Sequence, residues 1–212
     1  MRTRTVAALS LFFTACASTT INGYHVRHAR PDESRHVGKI LDPLLIALHL
    51  PSLRTVAMSK DCKIGFAIVQ TDKVNVWSAP PTISPCLYFS LFVTEGALTA
   101  PPDHLMATVA HELGHLMLHH VPQPDAPPRA MSEEEWRTVQ AQELEADAFA
   151  IALLKRTKAL SAVASCEAMG HFLRRSVDDW YGPLIPARLE EAVTQRAEAA
   201  DAACAGPDLT AP

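Results

Sequence analysis

The stretch Ala107-Thr108-Val109-Ala110-His111-Glu112-Leu113-Gly114-His115-Leu116 places Val109, Ala110, Leu113 and Leu116 at helical spacing and sets two imidazoles four residues apart among them. On an α-helix His111 and His115 stand one turn apart on one face, at a separation that a single zinc ion accepts. Glu112 lies beside them, placed to take the proton of a water that the metal acidifies and to pass it to a departing amine. The helix is expected to run from Asp103, a candidate N-cap behind Pro102, to about His120, with Pro122 as the stop.

Zinc used for hydrolysis needs a third protein ligand and one open position. Val121 stands where a metzincin carries its third histidine, so the third ligand is sought downstream, in Glu143-Leu144-Glu145-Ala146-Asp147. Ser132 with Glu135 three residues on makes a capping box that opens a long helix through Trp136, Val139, Leu144, Phe149 and Leu153 to about Lys158. On that helix Glu143 and Asp147 share a face, and Glu145 points about 200° away from Glu143. Glu143 is assigned as the ligand and Glu145 is its alternative. Asp147 is expected to accept a hydrogen bond from the outer nitrogen of a liganding histidine and so fix its tautomer. The competing reading is a solvated acidic face that also includes Glu133, Glu134 and Glu135. His120 falls about 180° around the helix from His111 and is read as packing or hydrogen-bonding near the helix end, and His171 as a surface or core histidine.

Ahead of the metal motif, Lys63 to Val69 and Lys73 to Ala79 are rich in Ile, Val, Phe and Trp and predict a β-hairpin across Thr71-Asp72. Leu87 to Thr94 predicts a third strand, with Leu87, Phe89, Leu91 and Val93 on one face and Tyr88, Ser90, Phe92 and Thr94 on the other. An extended substrate is expected to pair along a free edge of this third strand. Pro43 to Leu50 suggests a short buried helix, and two more helices are expected near 161 to 176 and 186 to 203. The expected architecture is α+β and mostly α-helical, a small sheet of about three strands packed on a zincin-type helical core.

With 19 basic against 23 acidic residues, a formal charge of -4 and no basic cluster, the chain carries no electrostatic footprint for nucleic acid. Arg2 and Arg4, the apolar run Val6 to Phe13, and Phe13-Thr14-Ala15-Cys16 predict a signal peptide over 1–16 that ends in a lipidated Cys16. Residues 17–36 then read as a polar tether, 37–206 as the catalytic domain and 207–212 as a tail. Membrane attachment is expected through the lipid on Cys16, at the periplasmic face of a bacterial outer membrane. The four remaining cysteines, in an oxidising compartment, predict Cys62 paired with Cys86 and Cys166 with Cys204. No serine or cysteine nucleophile signature and no phosphate-binding glycine loop is present.

Together these residues resemble the zinc metallopeptidase family that includes HtpX, BepA and LoiP, over roughly Lys63 to Leu189. Val74-Asn75-Val76-Trp77 is similar to that family's strand with Asn, Thr94-Glu95-Gly96-Ala97-Leu98 to its strand-to-helix turn, and Glu143 to Ala150 to its Glu-x-x-x-Asp segment. The resemblance implies Glu143 as third ligand and a histidine at His120; one zinc per chain is expected from the motif, and recognition through main-chain hydrogen bonds is expected to favour unfolded or misassembled envelope proteins. Where many members carry His-Pro followed by arginine, this chain has Gly182-Pro183-Leu184-Ile185-Pro186-Ala187-Arg188. Arg188 and Tyr181 are the candidate stabilisers of the transition-state oxyanion. The ImmA and IrrE type of cytosolic regulatory peptidase is the second resemblance, carried by Val109 to Leu154. A zinc-binding, chaperone-like lipoprotein is the third reading, opposed by the retention of Glu112, which a purely structural site does not need.

Overall fold

The polypeptide turns from strand to helix at Thr94. Its hydroxyl accepts the Ala97 N–H at 3.0 Å and so caps a short helix. Gly96 follows because a Cβ there would run into the Asp72 carbonyl, and its own N–H donates to Thr71 O at 3.0 Å. In the computed structural model, residues 19–21, 24–50, 63–79, 87–120, 131–181 and 187–205 are described. They form β1 (Thr19–Ile21), β2 (Tyr24–Arg27), α1 (Pro31–Ala47), β3 (Lys63–Val69), β4 (Val76–Ala79), β5 (Leu87–Thr94), α2 (Glu95–Thr99), α3 (Pro102–Met117), α4 (Glu133–Thr157), α5 (Ala162–Tyr181) and α6 (Ala187–Ala205). The class is α+β and mostly helical, as the sequence predicts.

The sheet has the order β1-β2-β3-β5-β4. β3 and β5 are parallel, with Ile68 opposite Val93, and β4 is antiparallel to β5, with Ser78 opposite Leu91. The expected hairpin between β3 and β4 is therefore not formed, because β5 lies between them. Thr71-Asp72 lacks the residues that a tight two-residue hairpin turn requires, and the connection is fastened elsewhere. Thr71 O accepts from Gly96 N, and Asn75 O from Thr94 N at 3.1 Å. A second correction follows: β5 has partners on both sides and offers a substrate no edge, whereas β4 closes the sheet on this side among the described residues.

Residues 24 to 36 are not a tether. β2 pairs with β3, Val26 opposite Val69, and α1 begins at Pro31 with Pro43 inside it. Arg27, Arg30 and Glu33 of this stretch are paired. Arg27 reaches Glu33 at 2.8 Å and Glu95 at 2.8 Å, and Arg30 reaches Glu33 at 2.7 Å. Behind them Val37, Ile40, Leu41, Leu44 and Leu45, at helical spacing, are buried in the core.

α3 is the central helix, and every residue from Leu105 to His111 is buried. Its N-cap is Pro101 without a side-chain cap, so Asp103 is not the cap and sits in the first turn. Two prolines preset φ for the opening turn, which moves the start ahead of Asp103. α4 opens with the predicted box: Ser132 Oγ accepts from Glu135 N at 3.2 Å and Ser132 N donates to Glu135 Oε2 at 2.8 Å. Cys166 and Cys204 form the expected disulfide, joining α5 to α6 with Cα atoms 5.8 Å apart. Cys16, Cys62 and Cys86 lie outside the described residues. Among the described residues, no helix is long and apolar enough to cross a membrane.

Candidate metal centre

Gly114 brings the two motif-bearing helices together. A Cβ on it would fall 3.0 Å from Ala146 O and 3.1 Å from Ala146 Cα, so only a bare backbone lets α4 approach α3 this closely. The face of α4 that meets α3 here carries Glu143 and Asp147, and the face of α3 carries His111 and His115.

The four side chains converge. His111 Nε2 lies 3.0 Å from His115 Nε2. Glu143 sets Oε2 3.3 Å from the first ring and Oε1 3.4 Å from the second. A tetrahedral zinc with bonds of about 2.0–2.2 Å holds its ligand atoms about 3.3–3.6 Å apart; both contacts of Glu143 fall in that range, and the two imidazole nitrogens stand a few tenths of an ångström closer. Ligand atoms of His111, Glu112 and His115 also lie within 4.8 Å of one another, which puts Glu112 within reach of the same ion. Its Oε2 is engaged elsewhere, accepting from Ser78 N at 2.8 Å and Ser78 Oγ at 2.8 Å. Ser78 belongs to β4, whose odd-numbered residues bond to β5. The Ser78 N–H therefore points away from the sheet and toward α3.

Each histidine is oriented from behind. Asp147 Oδ1 lies 2.8 Å from His111 Nδ1, which keeps a proton on Nδ1, so that Nε2 is the nitrogen that presents a lone pair once the ring is neutral. His115 Nδ1 lies 2.9 Å from His120 Nδ1, and His120 Nε2 lies 3.1 Å from Glu145 Oε2. One set of neutral tautomers satisfies both contacts: His115 donates through Nδ1 to His120 Nδ1, and His120 donates to Glu145 through Nε2. The backbone makes this possible at His119, whose φ of 56° is left-handed and folds His120 back so that its N–H reaches His115 O at 3.0 Å. Glu145, the alternative ligand, is thus an exposed acceptor for His120. His171 is exposed and stacks on His104, ring centroids 4.6 Å apart.

Arg196 of α6, which no motif in the sequence singles out, completes the cluster. Its Nε and Nη2 donate to the two oxygens of Asp147 at 2.7 and 2.9 Å, and Nη1 lies 2.8 Å from Glu143 Oε2. A signal was present: Leu189, Ala192, Val193, Arg196 and Ala200 follow the apolar stripe of α6, and a lone arginine in such a stripe needs a buried partner. Burial works to raise the pKa of Glu143, but the Arg196 charge and the His111 and His115 rings beside it outweigh it and hold the carboxyl well below its usual range. Burial opposes ionisation of Asp147 as well, and Arg196 and His111 overcome it.

Arg188 is not brought to this cluster. Its guanidinium pairs with Glu133 at 2.7 Å and lies 4.6 Å over the Trp136 ring. That position is about 15 Å along α4 from Glu143 at 1.5 Å per residue, too far for an oxyanion role. Tyr181 ends α5, and its side chain lies outside the described residues.

No curated protein and no solved structure matches the chain. Residues 99–173, the span that carries His111, Glu112, His115, Glu143 and Asp147, match the family described as the IrrE N-terminal-like domain, a zinc metallopeptidase-type family.

Proposed function

We propose that the protein is a zinc-dependent metalloendopeptidase in which His111, His115 and Glu143 hold the metal and Glu112 is the general base. The observation that carries this reading is the meeting of both Nε2 atoms and the Glu143 carboxylate, at 3.0, 3.3 and 3.4 Å, beside the second carboxylate, Glu112. When bound, zinc would polarise the scissile carbonyl and acidify the attacking water. Ser78 holds Glu112 Oε2 and so fixes the rotation of the carboxylate, which leaves Oε1 to take the proton and return it to the leaving amine. Asp147 keeps His111 in the tautomer that presents Nε2, and His120 with Glu145 does the same for His115. A substrate strand would lie beside β4. The Val76 and Ser78 amides are taken by Asn75 Oδ1 and Glu112, each at 2.8 Å, so such a strand pairs chiefly with β4 carbonyls.

The substrates of this reading are unfolded or misassembled envelope proteins, which recognition through main-chain hydrogen bonds favours over a fixed sequence, and the enzyme is anchored by Cys16 at the outer membrane. The Cys166–Cys204 disulfide supports an oxidising compartment. A second reading, cleavage of one regulatory protein, is favoured by the family match over 99–173. Casein and a panel of folded proteins, offered in parallel, separate the two: general digestion of casein supports the first. For the chemistry, Glu112→Gln should retain one zinc per chain and lose at least about 10²-fold in proteolysis. Undiminished cleavage by that variant overturns the assignment of the base. Zinc uptake with no cleavage by the wild-type chain favours a binding protein over an enzyme.

A further inference from the structure

Two of the three proposed ligands depend on one side chain outside the matched span. Arg196 stands on α6, beyond residue 173 where the family match ends. Its guanidinium grips both Asp147 oxygens and one Glu143 oxygen at 2.7, 2.9 and 2.8 Å. The Asp147 oxygen that takes Nη2 is the same Oδ1 that holds His111 Nδ1. One rigid fork therefore fixes the rotation of Glu143 directly and, through Asp147, the ring of His111. The side chain is only 14% exposed, and its five donors in fixed directions suit two carboxylates one helical turn apart, which an ammonium on a flexible stem does not match.

We propose that Arg196 is a positioning residue of the metal centre, holding Glu143 and, through Asp147, His111 in the arrangement that accepts zinc. The inference rests on the assignment of His111, His115 and Glu143 as ligands. A guanidinium near a cation also repels it, and the two effects have opposite signs. The bidentate pairing with Asp147 places a full negative charge against the guanidinium, so its net field at the ligands is small and the geometric role dominates. The carboxylates would otherwise stand as like charges four residues apart with little water around them.

The test is zinc affinity of the full chain, measured by competition with a chromogenic chelator at fixed pH, for wild type, Arg196→Lys, Arg196→Met and Ala192→Gly. The last variant weakens α6 through its backbone without touching the cluster and controls for loss of helix docking; circular dichroism reports folding of all four. Arg196→Lys should raise the zinc dissociation constant about 10–100-fold, the usual effect of removing a group that orients a ligand, with Arg196→Met at least as weak and Ala192→Gly near wild type. Wild-type affinity in Arg196→Lys would show that charge alone suffices, and tighter binding by Arg196→Met would show that Arg196 only repels the metal. Either result overturns the proposal, as does an equal loss in Ala192→Gly. A wild-type chain that binds no zinc overturns the ligand assignment and this inference with it, whereas zinc binding with an unaltered Arg196→Lys overturns the inference alone.

Discussion

His111 is buried to 3% exposure between two carboxylates, and that position governs how the centre exchanges protons for metal. Burial on its own lowers an imidazole pKa, but Asp147 and Glu143 together win and raise His111 from 6.5 to about 10 in the metal-free chain. Between those two values the folded, metal-free protein holds a proton that the unfolded chain has released. The stabilisation is thus fully present below pH 6.5 and is lost as pH rises through about 10. Zinc requires the neutral Nε2, so its uptake at neutral pH expels this proton. Zinc affinity is therefore expected to rise about tenfold per pH unit between pH 7 and 9. Calorimetric titrations in two buffers of different ionisation enthalpy should register the release of about one proton per zinc. An affinity flat across that range would mean that His111 is already neutral before the metal arrives. That Asp147 orients a liganding histidine was legible in the sequence, because helical spacing puts residues 143 and 147 on one face, whereas the choice of His111 is made by the packing of α4 on α3. Ser78 was not, because the contact joins an edge strand to α3 and has no local periodicity.

Close approach of α3 and α4 is the element-level condition for the centre, and Gly114 sets it. Replacing Gly114 by Ala gains about 0.8–1 kcal/mol in helix propensity. It also drives a Cβ to 3.0 Å from the Ala146 carbonyl, on backbone that gives way only if the helices part. Overpacking of this kind costs about 1–3 kcal/mol, so the two effects nearly offset and the melting temperature should fall by only a few degrees. Zinc affinity should drop more sharply, because Glu143 and Asp147 move with α4 while His111 and His115 stay with α3. A Gly114→Ala variant with wild-type affinity would show that the centre tolerates helix separation. The helices themselves were legible: the 132–135 capping box and the apolar spacing of α3 and α4 are local signals, and the ends fell within a few residues of the observed ones. The sheet was misread for the opposite reason. Strand existence is local, but the insertion of β5 between β3 and β4 is decided by the Thr71 to Gly96 and Asn75 to Thr94 contacts, which no single segment announces.

At the scale of the molecule, the last helix is bound to the rest by a covalent link at one end and an ionic one within it. Cys204 joins Cys166 across a sequence separation of 38 residues, Lys155 Nζ donates to Ala203 O at 3.2 Å, and Arg196 enters the candidate metal centre two turns earlier. Sequence composition foresaw the disulfide but gave it only a structural meaning, and missed that α6 supplies a charged residue to the site. The polar stretch before Pro43 was misjudged in the same way, since Arg27, Glu33 and Glu95 neutralise one another only once β2, α1 and α2 are assembled. Opening a loop of this length should cost about 3–4 kcal/mol through the entropy returned to the unfolded chain. Urea unfolding of Cys166→Ser/Cys204→Ser is expected to show that loss as a lower midpoint, and wild type in a phosphine reductant should reproduce it. A loss below about 1 kcal/mol would mean that the unfolded chain is already restrained near these residues, so that the link removes little freedom. The midpoint should recover when zinc is added in excess to the variant, since a ligand that binds only the folded state stabilises it by mass action. Recovery by zinc in the double variant, but not in the same variant that also carries Glu143→Ala, would tie the rescue to the centre that α3, α4 and α6 build together.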